Sequence, residues 1–138
     1  MTHHHFSRRT TVLVVDDNPM SLEFAAATLR KEGVSVLVAR DGFQGISLLC
    51  SRGHDLALLI VDTEMPGVHG WEVIRFARTR VPAIRILRVG RPSDEAPGAE
   101  YQALQKVPVL QRPFTPADLL ARVRRQLPAL RKSRVDAL

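Results

Sequence analysis

The sequence predicts an α/β fold, a doubly wound sheet of five parallel strands with helices on both faces. Two observations carry that prediction. Strand-length apolar runs recur along the chain, and one of them, Leu56 to Val61, is apolar at every position, as suits a strand covered on both faces. Between the runs, apolar residues recur at three- and four-residue spacings, and the connections are short. Strand and helix thus alternate five times, the pattern of parallel strands joined by right-handed crossovers.

Thr11 to Val15, a β-branched run, is the first strand. Asn18 is placed to cap, and Pro19 to open, a helix from Met20 to Glu32 whose Leu22, Ala25, Ala26 and Leu29 share one face. Gly33 stands where a helix-ending glycine belongs. Val34 to Ala39 is the second strand, and Phe43 to Ser51 the second helix, with Ile46, Leu49 and Cys50 expected to face inward. The third strand, Leu56 to Val61, runs into Asp62; Pro66, Gly67 and Gly70 then break regular structure before a helix from Trp71 to Arg78. Pro82 precedes a fourth strand, Ala83 to Leu87, with Arg85 an odd internal charge. Residues 90–98 read as a loop and Ala99 to Lys106 as a short fourth helix. Val107 to Leu110 is an edge strand, because Pro108 cannot donate to a central ladder. Thr115 caps the last helix, Pro116 to Leu127. Residues 1–10 are expected to be a flexible arm, 11–127 the domain, and 128–138 a basic tail or the start of a linker.

A chain of 138 residues is the size of one domain and can bury a real core. No apolar run reaches the ~18 residues of a membrane-crossing helix, and the polar start offers no secretory signal, so a cytoplasmic protein is expected. With Cys50 alone, no internal disulfide forms; a core thiol is the expectation. The formal net charge of +6 is carried mainly by arginine, and the sharpest cluster is Arg122, Arg124, Arg125, Arg131, Lys132 and Arg134. No aromatic residues interleave there, so nucleic-acid binding is not expected.

The chemistry centres on three carboxylates. In open α/β sheets, ligands bind beyond the carboxyl ends of the strands. If the first and third strands are neighbours, Asp16-Asp17 and Asp62 converge at that end. Each pair of carboxylates ~4 Å apart at an effective dielectric near 20 repels by about 4 kcal/mol. The cluster therefore needs a divalent cation, a shared proton or a basic neighbour. Mg2+ (or Mn2+) suits hard oxygen ligands and leaves room for water and a phosphoryl oxygen.

Asp16-Asp17 after the first strand, Asp62-x-x-Met65-Pro66-x-x-x-Gly70 after the third, and Arg112-Pro113-Phe114 after the fifth resemble the receiver domain of two-component response regulators over residues 11 to 127. The resemblance implies a flavodoxin-like sheet of order 2-1-3-4-5. It implies Asp62 as phosphoacceptor, Asp17 as direct metal ligand, Asp16 as a ligand through water and the Glu64 carbonyl as a further ligand. The protein would not be an enzyme beyond slow self-dephosphorylation. Its partners would be a sensor histidine kinase or phosphotransfer protein, a downstream protein on the face of the fourth helix, fifth strand and last helix, and in some cases a second copy.

The sequence also departs from the family pattern. Arg112 replaces the family lysine; it keeps the charge but is larger and planar. Counted from Pro82, the family Thr/Ser that bonds the phosphoryl group falls on Leu87, and the next position on Arg88, a candidate anion contact. Neither Val89 nor Gly90 restores a hydroxyl, and Ser93 lies too far along the loop. The family aromatic on the fifth strand is Val109. A hydrogen bond to a charged group is worth roughly 1.5–3 kcal/mol, against about 5.5 kcal/mol to swing a two-state protein from 1:99 to 99:1. The acceptor half of the site is retained while the readout half is altered. An atypical receiver that binds a partner without phosphorylation is the alternative; a metal-dependent hydrolase of similar topology is a more distant one. Trp71 is expected to pack in the third helix, and Tyr101 and His69 to be exposed.

Overall fold

All residues of Thr11–Val15 (β1) and Leu56–Asp62 (β3) are buried, because helices cover both faces of the sheet they centre. A computed structural model describes residues 11–128 of the chain. The elements follow in the order β1, α1 (Pro19–Lys31), β2 (Ser35–Ala39), α2 (Gly42–Arg52), β3, α3 (Gly70–Arg80), β4 (Arg85–Gly90), a 3₁₀ segment (Ala99–Lys106), β5 (Val109–Gln111) and α4 (Pro116–Gln126). The strands are all parallel and lie in the order β2-β1-β3-β4-β5, as expected. The arm, residues 129–138 of the tail, and with them Arg131, Lys132 and Arg134, lie outside the described residues. Among the described residues no helix is long and apolar enough to cross a membrane.

Side chains alternate between the two faces of a strand, so each strand feeds two cores. Val12, Val14, Leu58, Ile60, Leu87 and Val89 pack with Leu22 and Leu29 of α1 and Leu119 and Val123 of α4. Leu13, Val15, Leu59, Val61 and Ile86 pack instead with Leu49 of α2, Trp71 and Ile74 of α3, and Tyr101 and Leu104 of the 3₁₀ segment. The helix ends follow the sequence signals. Asn18 Oδ1 accepts the N–H groups of Met20 and Ser21. Gly33, at φ +83°, closes α1 with its N–H on Arg30 O and the Val34 N–H on Leu29 O, a two-bond cap that needs the left-handed region. Thr115 and Asp118 form a reciprocal cap on α4.

Four expectations are corrected. Cys50 is exposed, not a core thiol: the buried positions of α2 are Gly42, Gly45 and Leu49, and Cys50 is rotated about 100° from Leu49. The fourth strand starts later and runs further than Ala83 to Leu87. Pro82 and Ala83 are spent in a turn closed by the Ile84 N–H on Val81 O, and β4 begins at Arg85, whose side chain is exposed at the strand's start. The segment Ala99–Lys106 winds as a 3₁₀ helix rather than an α-helix. In that winding residues three apart share a side, and Tyr101 and Leu104 are its buried anchors. Tyr101 is accordingly not a surface residue. Its hydroxyl donates to Glu72 Oε1 on α3, Arg75 lies over its ring with Cζ 5.8 Å from the centroid, and Arg75 Nη2 reaches Glu72 Oε2 at 3.1 Å.

The Tyr101 hydroxyl holds the Glu72 carboxyl below the usual range. A depressed carboxylate contributes stability that is present above its unfolded value, near 4.5, and is lost as pH falls through the folded value. Tyr101→Phe should therefore destabilise the protein at neutral pH by about 1 kcal/mol, discounted for the part-exposed carboxylate. The difference from wild type should shrink on acidification below pH 4.5 in urea titrations. An unchanged difference down to pH 3 would mean that ring packing, not the hydrogen bond, holds this contact.

Candidate functional site

Asp16 directly follows β1, Asp62 ends β3, and both continue the series of side chains that face α1 and α4 (Val12, Val14, then Asp16; Leu58, Ile60, then Asp62). Adjacent parallel strands, paired Val15 to Val61, then bring the two carboxylates to one spot. Asp16, Asp17 and Asp62 each offer an oxygen within 4.8 Å of the others; Asp16 and Asp62 are buried, and Asp17 is exposed. Backbone amides fix the two buried groups: Asn18 N–H reaches Asp16 Oδ1 at 2.9 Å and Glu64 N–H reaches Asp62 Oδ1 at 2.8 Å. The loop that carries Glu64 returns so tightly that a Cβ on Gly70 would lie 2.1 Å from Asp62 O, so only glycine fits there.

Arg112, after β5, reaches this cluster. Its Nη2 lies 3.2 Å from Asp16 Oδ2 and 3.3 Å from Asp62 Oδ2, so one nitrogen bridges both carboxylates. The guanidinium is about one-third exposed and the carboxylates nearly enclosed. Burial pushes the Asp16 carboxyl above the usual range and the Asp62 charge adds to it, while the Asn18 N–H and Arg112 oppose. A preformed trio of hard oxygen donors at a strand mouth suits Mg2+ or Mn2+. In the described arrangement the Arg112 guanidinium lies against two of these carboxylates, at Asp16 Oδ2 and Asp62 Oδ2.

The profile of the family described as response regulator receiver domain matches residues 12–124. The chain belongs to that family. It is the receiver domain of two-component response regulators, whose members are phosphorylated on an aspartate and bind Mg2+ in an acidic pocket. The chain is 36% identical over 121 residues to the DNA-binding response regulator MtrA of Mycolicibacterium smegmatis, covering 86% of this chain and 51% of that one. It is 31% identical over 118 residues to the transcriptional regulatory protein HprR of Escherichia coli, covering 84% and 51%. The chain thus spans about half the length of these curated relatives. Among solved structures, the chemotaxis protein CheY4 of Vibrio cholerae superposes with a TM-score of 0.72 at 25% identity, over 86% of this chain and 99% of that one. A probable response regulator/GGDEF domain protein gives 0.74 at 28% identity, over 92% and 52%.

Within this receiver, the residues singled out from sequence divide into two sets. Asp16, Asp17, Asp62 and Arg112 come together. Leu87 does not join them: it pairs with Ile60, two residues short of Asp62, and is fully buried in the core. The later start of β4 moves the residue paired with Asp62 to Val89, followed by Gly90, and neither carries a hydroxyl. Arg88 does not face Asp62 either. It pairs with Val61, whose side chain lies on the α3 face, and Asp62 is on the other. Nor does it reach solvent: it is 2% exposed, with its Cζ 4.9 Å from the Trp71 ring centroid and Nη1 3.4 Å from Arg91 O. Burial pulls its guanidinium below the usual value, Asp94 alone opposing, and Nε has no partner. Trp71 packs in the core as expected and also carries this cation. His69 is not exposed; its Nδ1 accepts the Glu72 N–H and caps α3, and its ring meets Tyr101 edge-on at 5.5 Å. Ser93 is exposed in the loop, and Val109 is half-buried on β5.

Three residues were missed at the mouth. The Thr63 hydroxyl is buried and donates to Val89 O at 3.4 Å. Arg91 pairs with Glu64 at 3.6 Å and with Asp94 at 3.2 Å. Asp94 lies within the stretch 90–98 that reads only as a loop, and nothing in the sequence pairs it with Arg91 beyond their spacing of three.

Two expected outcomes follow from these contacts. Arg112→Gln removes the cation that lies against Asp16 and Asp62, and should tighten Mg2+ binding about tenfold in a calorimetric titration; equal or weaker binding would show that Arg112 does not compete. Arg88→Met keeps the volume but not the buried charge, and should leave stability unchanged or raise it by up to about 4 kcal/mol in urea unfolding, despite the lost contact with Trp71.

Proposed function

We propose that Asp62 is the phosphoacceptor of this receiver and that Asp16, Asp17 and the Glu64 carbonyl hold Mg2+ or Mn2+ beside it. The observation that carries the reading is the convergence of three carboxylates and Arg112 at the ends of β1, β3 and β5. The bound cation would supply charge neutralisation for the phosphoryl oxygens. An Asp62 oxygen attacks phosphorus; the Asp62 O–P bond forms as the P–N bond of a kinase or phosphotransfer-protein phosphohistidine breaks, and the imidazole leaves with the electron pair and takes up a proton. The Glu64 N–H orients the Asp62 carboxylate by holding Oδ1. Arg112 trades its carboxylate partners for the phosphoryl oxygens, which its planar fork suits. Loss of the phosphoryl group to water would be slow, because no further acid or base among the described residues is bonded to Asp62.

The protein is read as a cytoplasmic signalling module. Its partners are a sensor histidine kinase or phosphotransfer protein and a downstream protein on the face of the 3₁₀ segment, β5 and α4, with a homodimer on that face as one form of output. The missing hydroxyl opposite Asp62 and the Arg112 bridge favour a second reading, a receiver that binds its partner without phosphorylation. Incubation with Mg2+ and a small phosphodonor, followed by intact mass, separates the two. The expected result is a gain of one phosphoryl group, absent in Asp62→Asn; no gain in the wild type would leave the phosphorylation-independent reading.

A further inference from the structure

Between the acceptor and the 3₁₀ segment the chain carries a continuous set of polar contacts that avoids the family's Thr/Ser and aromatic positions. Asp62 Oδ1 holds the Glu64 N–H at 2.8 Å, and Glu64 Oε2 lies 3.6 Å from Arg91 Nη2. Arg91 is joined to Asp94 twice, by its backbone N–H on Oδ2 at 2.8 Å and its Nε on Oδ1 at 3.2 Å. The Asp94 carbonyl accepts from Gln105 Nε2 at 2.6 Å, and Gln105 Oε1 accepts the Ala96 N–H at 2.8 Å. Gln105 thereby ties residues 94–96 to the 3₁₀ segment. The far side of that segment is fixed independently, by Tyr101 on Glu72.

Arg91 is the weak link in this set. Its side chain is 68% exposed and shared between two carboxylates, Glu64 exposed and Asp94 nearly buried. Exposed ion pairs are worth at most about 1 kcal/mol, so a change of one or two charges nearby alters the preference of such a cation. Asp94 also has an alternative partner, the buried Arg88, whose Nε is unsatisfied and on which Asp94 is the acting carboxylate. We propose that Arg91 is a charge-sensitive latch: at rest it joins Glu64, beside the acceptor, to Asp94, at the root of the 3₁₀ segment, and added negative charge on Asp62 draws it off Asp94 toward the mouth, loosening residues 92–98. The inference rests on the phosphoacceptor reading and deepens it by naming the segment that responds. Tyr101 and Leu104 stay seated in the core, so the response is confined to the loop and the Gln105 end.

The test uses the whole chain with Mg2+ and beryllofluoride as the probe. Fluorine resonance reports adduct formation, and hydrogen exchange reports the amides within 92–98 (Ser93, Asp94, Glu95, Ala96 and Gly98) against those of Tyr101 and Leu104. In the wild type the adduct should speed exchange at 92–98 about tenfold and leave Tyr101 and Leu104 unchanged. In Arg91→Gln the adduct should still form, exchange at 92–98 should already be fast, and the adduct should add little. Asp94→Asn should reproduce this resting phenotype. An adduct that leaves 92–98 unchanged in the wild type, or an Arg91→Gln variant that responds as the wild type does, would overturn the latch alone. Absence of the adduct in the wild type would overturn the acceptor reading and the latch with it.

Discussion

Two carboxylates buried side by side are tolerated in this receiver because one guanidinium nitrogen lies against both. Asp16 and Asp62 cannot move apart, since each is the next residue of a fully buried strand series and each is tied by a backbone N–H. Their repulsion, about 4 kcal/mol at such distances, has to be met by a cation. Arg112 meets it, and in doing so closes the sheet's carboxyl end from β5 across β3 to β1. A divalent cation at these carboxylates would compete with Arg112 in its described position, so metal binding and the Arg112 bridge would be coupled.

Strand parity explains why the site has this membership. Asp16 and Asp62 share the α1–α4 face with Leu87 and Val89, whereas Arg88 and Trp71 belong to the opposite core. An arginine on β4 can reach Asp62 only from the face Asp62 shares, and Arg88 is one residue out of phase. It is instead a buried cation stacked on an indole, with desolvation offset by the ring and by Asp94. The carboxylate pair and the buried cation thus occupy opposite faces of the sheet.

Much of this was legible in the sequence. The strand-length apolar runs and the cap signals at Asn18, Gly33 and Thr115 showed the alternation of strands and helices; with β1 and β3 as neighbours the convergence of Asp16, Asp17 and Asp62 followed, while Arg112 entered only through the resemblance to receiver domains. What could not be read depended on local geometry without a strong signal. Pro82 was visible, but not that its turn would take up Ala83 and delay the strand to Arg85, and that shift displaced both Leu87 and Arg88 from their expected roles. Cys50 next to Leu49 looked equally inward until the helix phase was fixed by Gly42 and Gly45. Tyr101 lay on a segment too short to show periodicity, and its hydroxyl partner, Glu72, lies 29 residues earlier.

These displacements change how communication through the domain must be understood. A hydroxyl at position 89 would face the α4 side with Asp62, and an aromatic at position 109 would face the 3₁₀ segment with Arg88. Val89, Gly90 and Val109 offer no such donor or ring, so on the α4 side the group that meets a charge on Asp62 is Arg112. The polar groups that meet the 3₁₀ segment form two rows, Glu64, Arg91, Asp94 and Gln105 in one, His69, Tyr101 and Glu72 in the other. Both rows end on Ala99–Lys106. A 3₁₀ winding has poorer hydrogen-bond geometry than an α-helix, so this segment depends more on its side-chain anchors than a full helix would. Its anchors are the two rows, one exposed and ionic, one buried and aromatic. A small change in charge at the mouth therefore acts on the ionic row first, while the aromatic row keeps the segment in register.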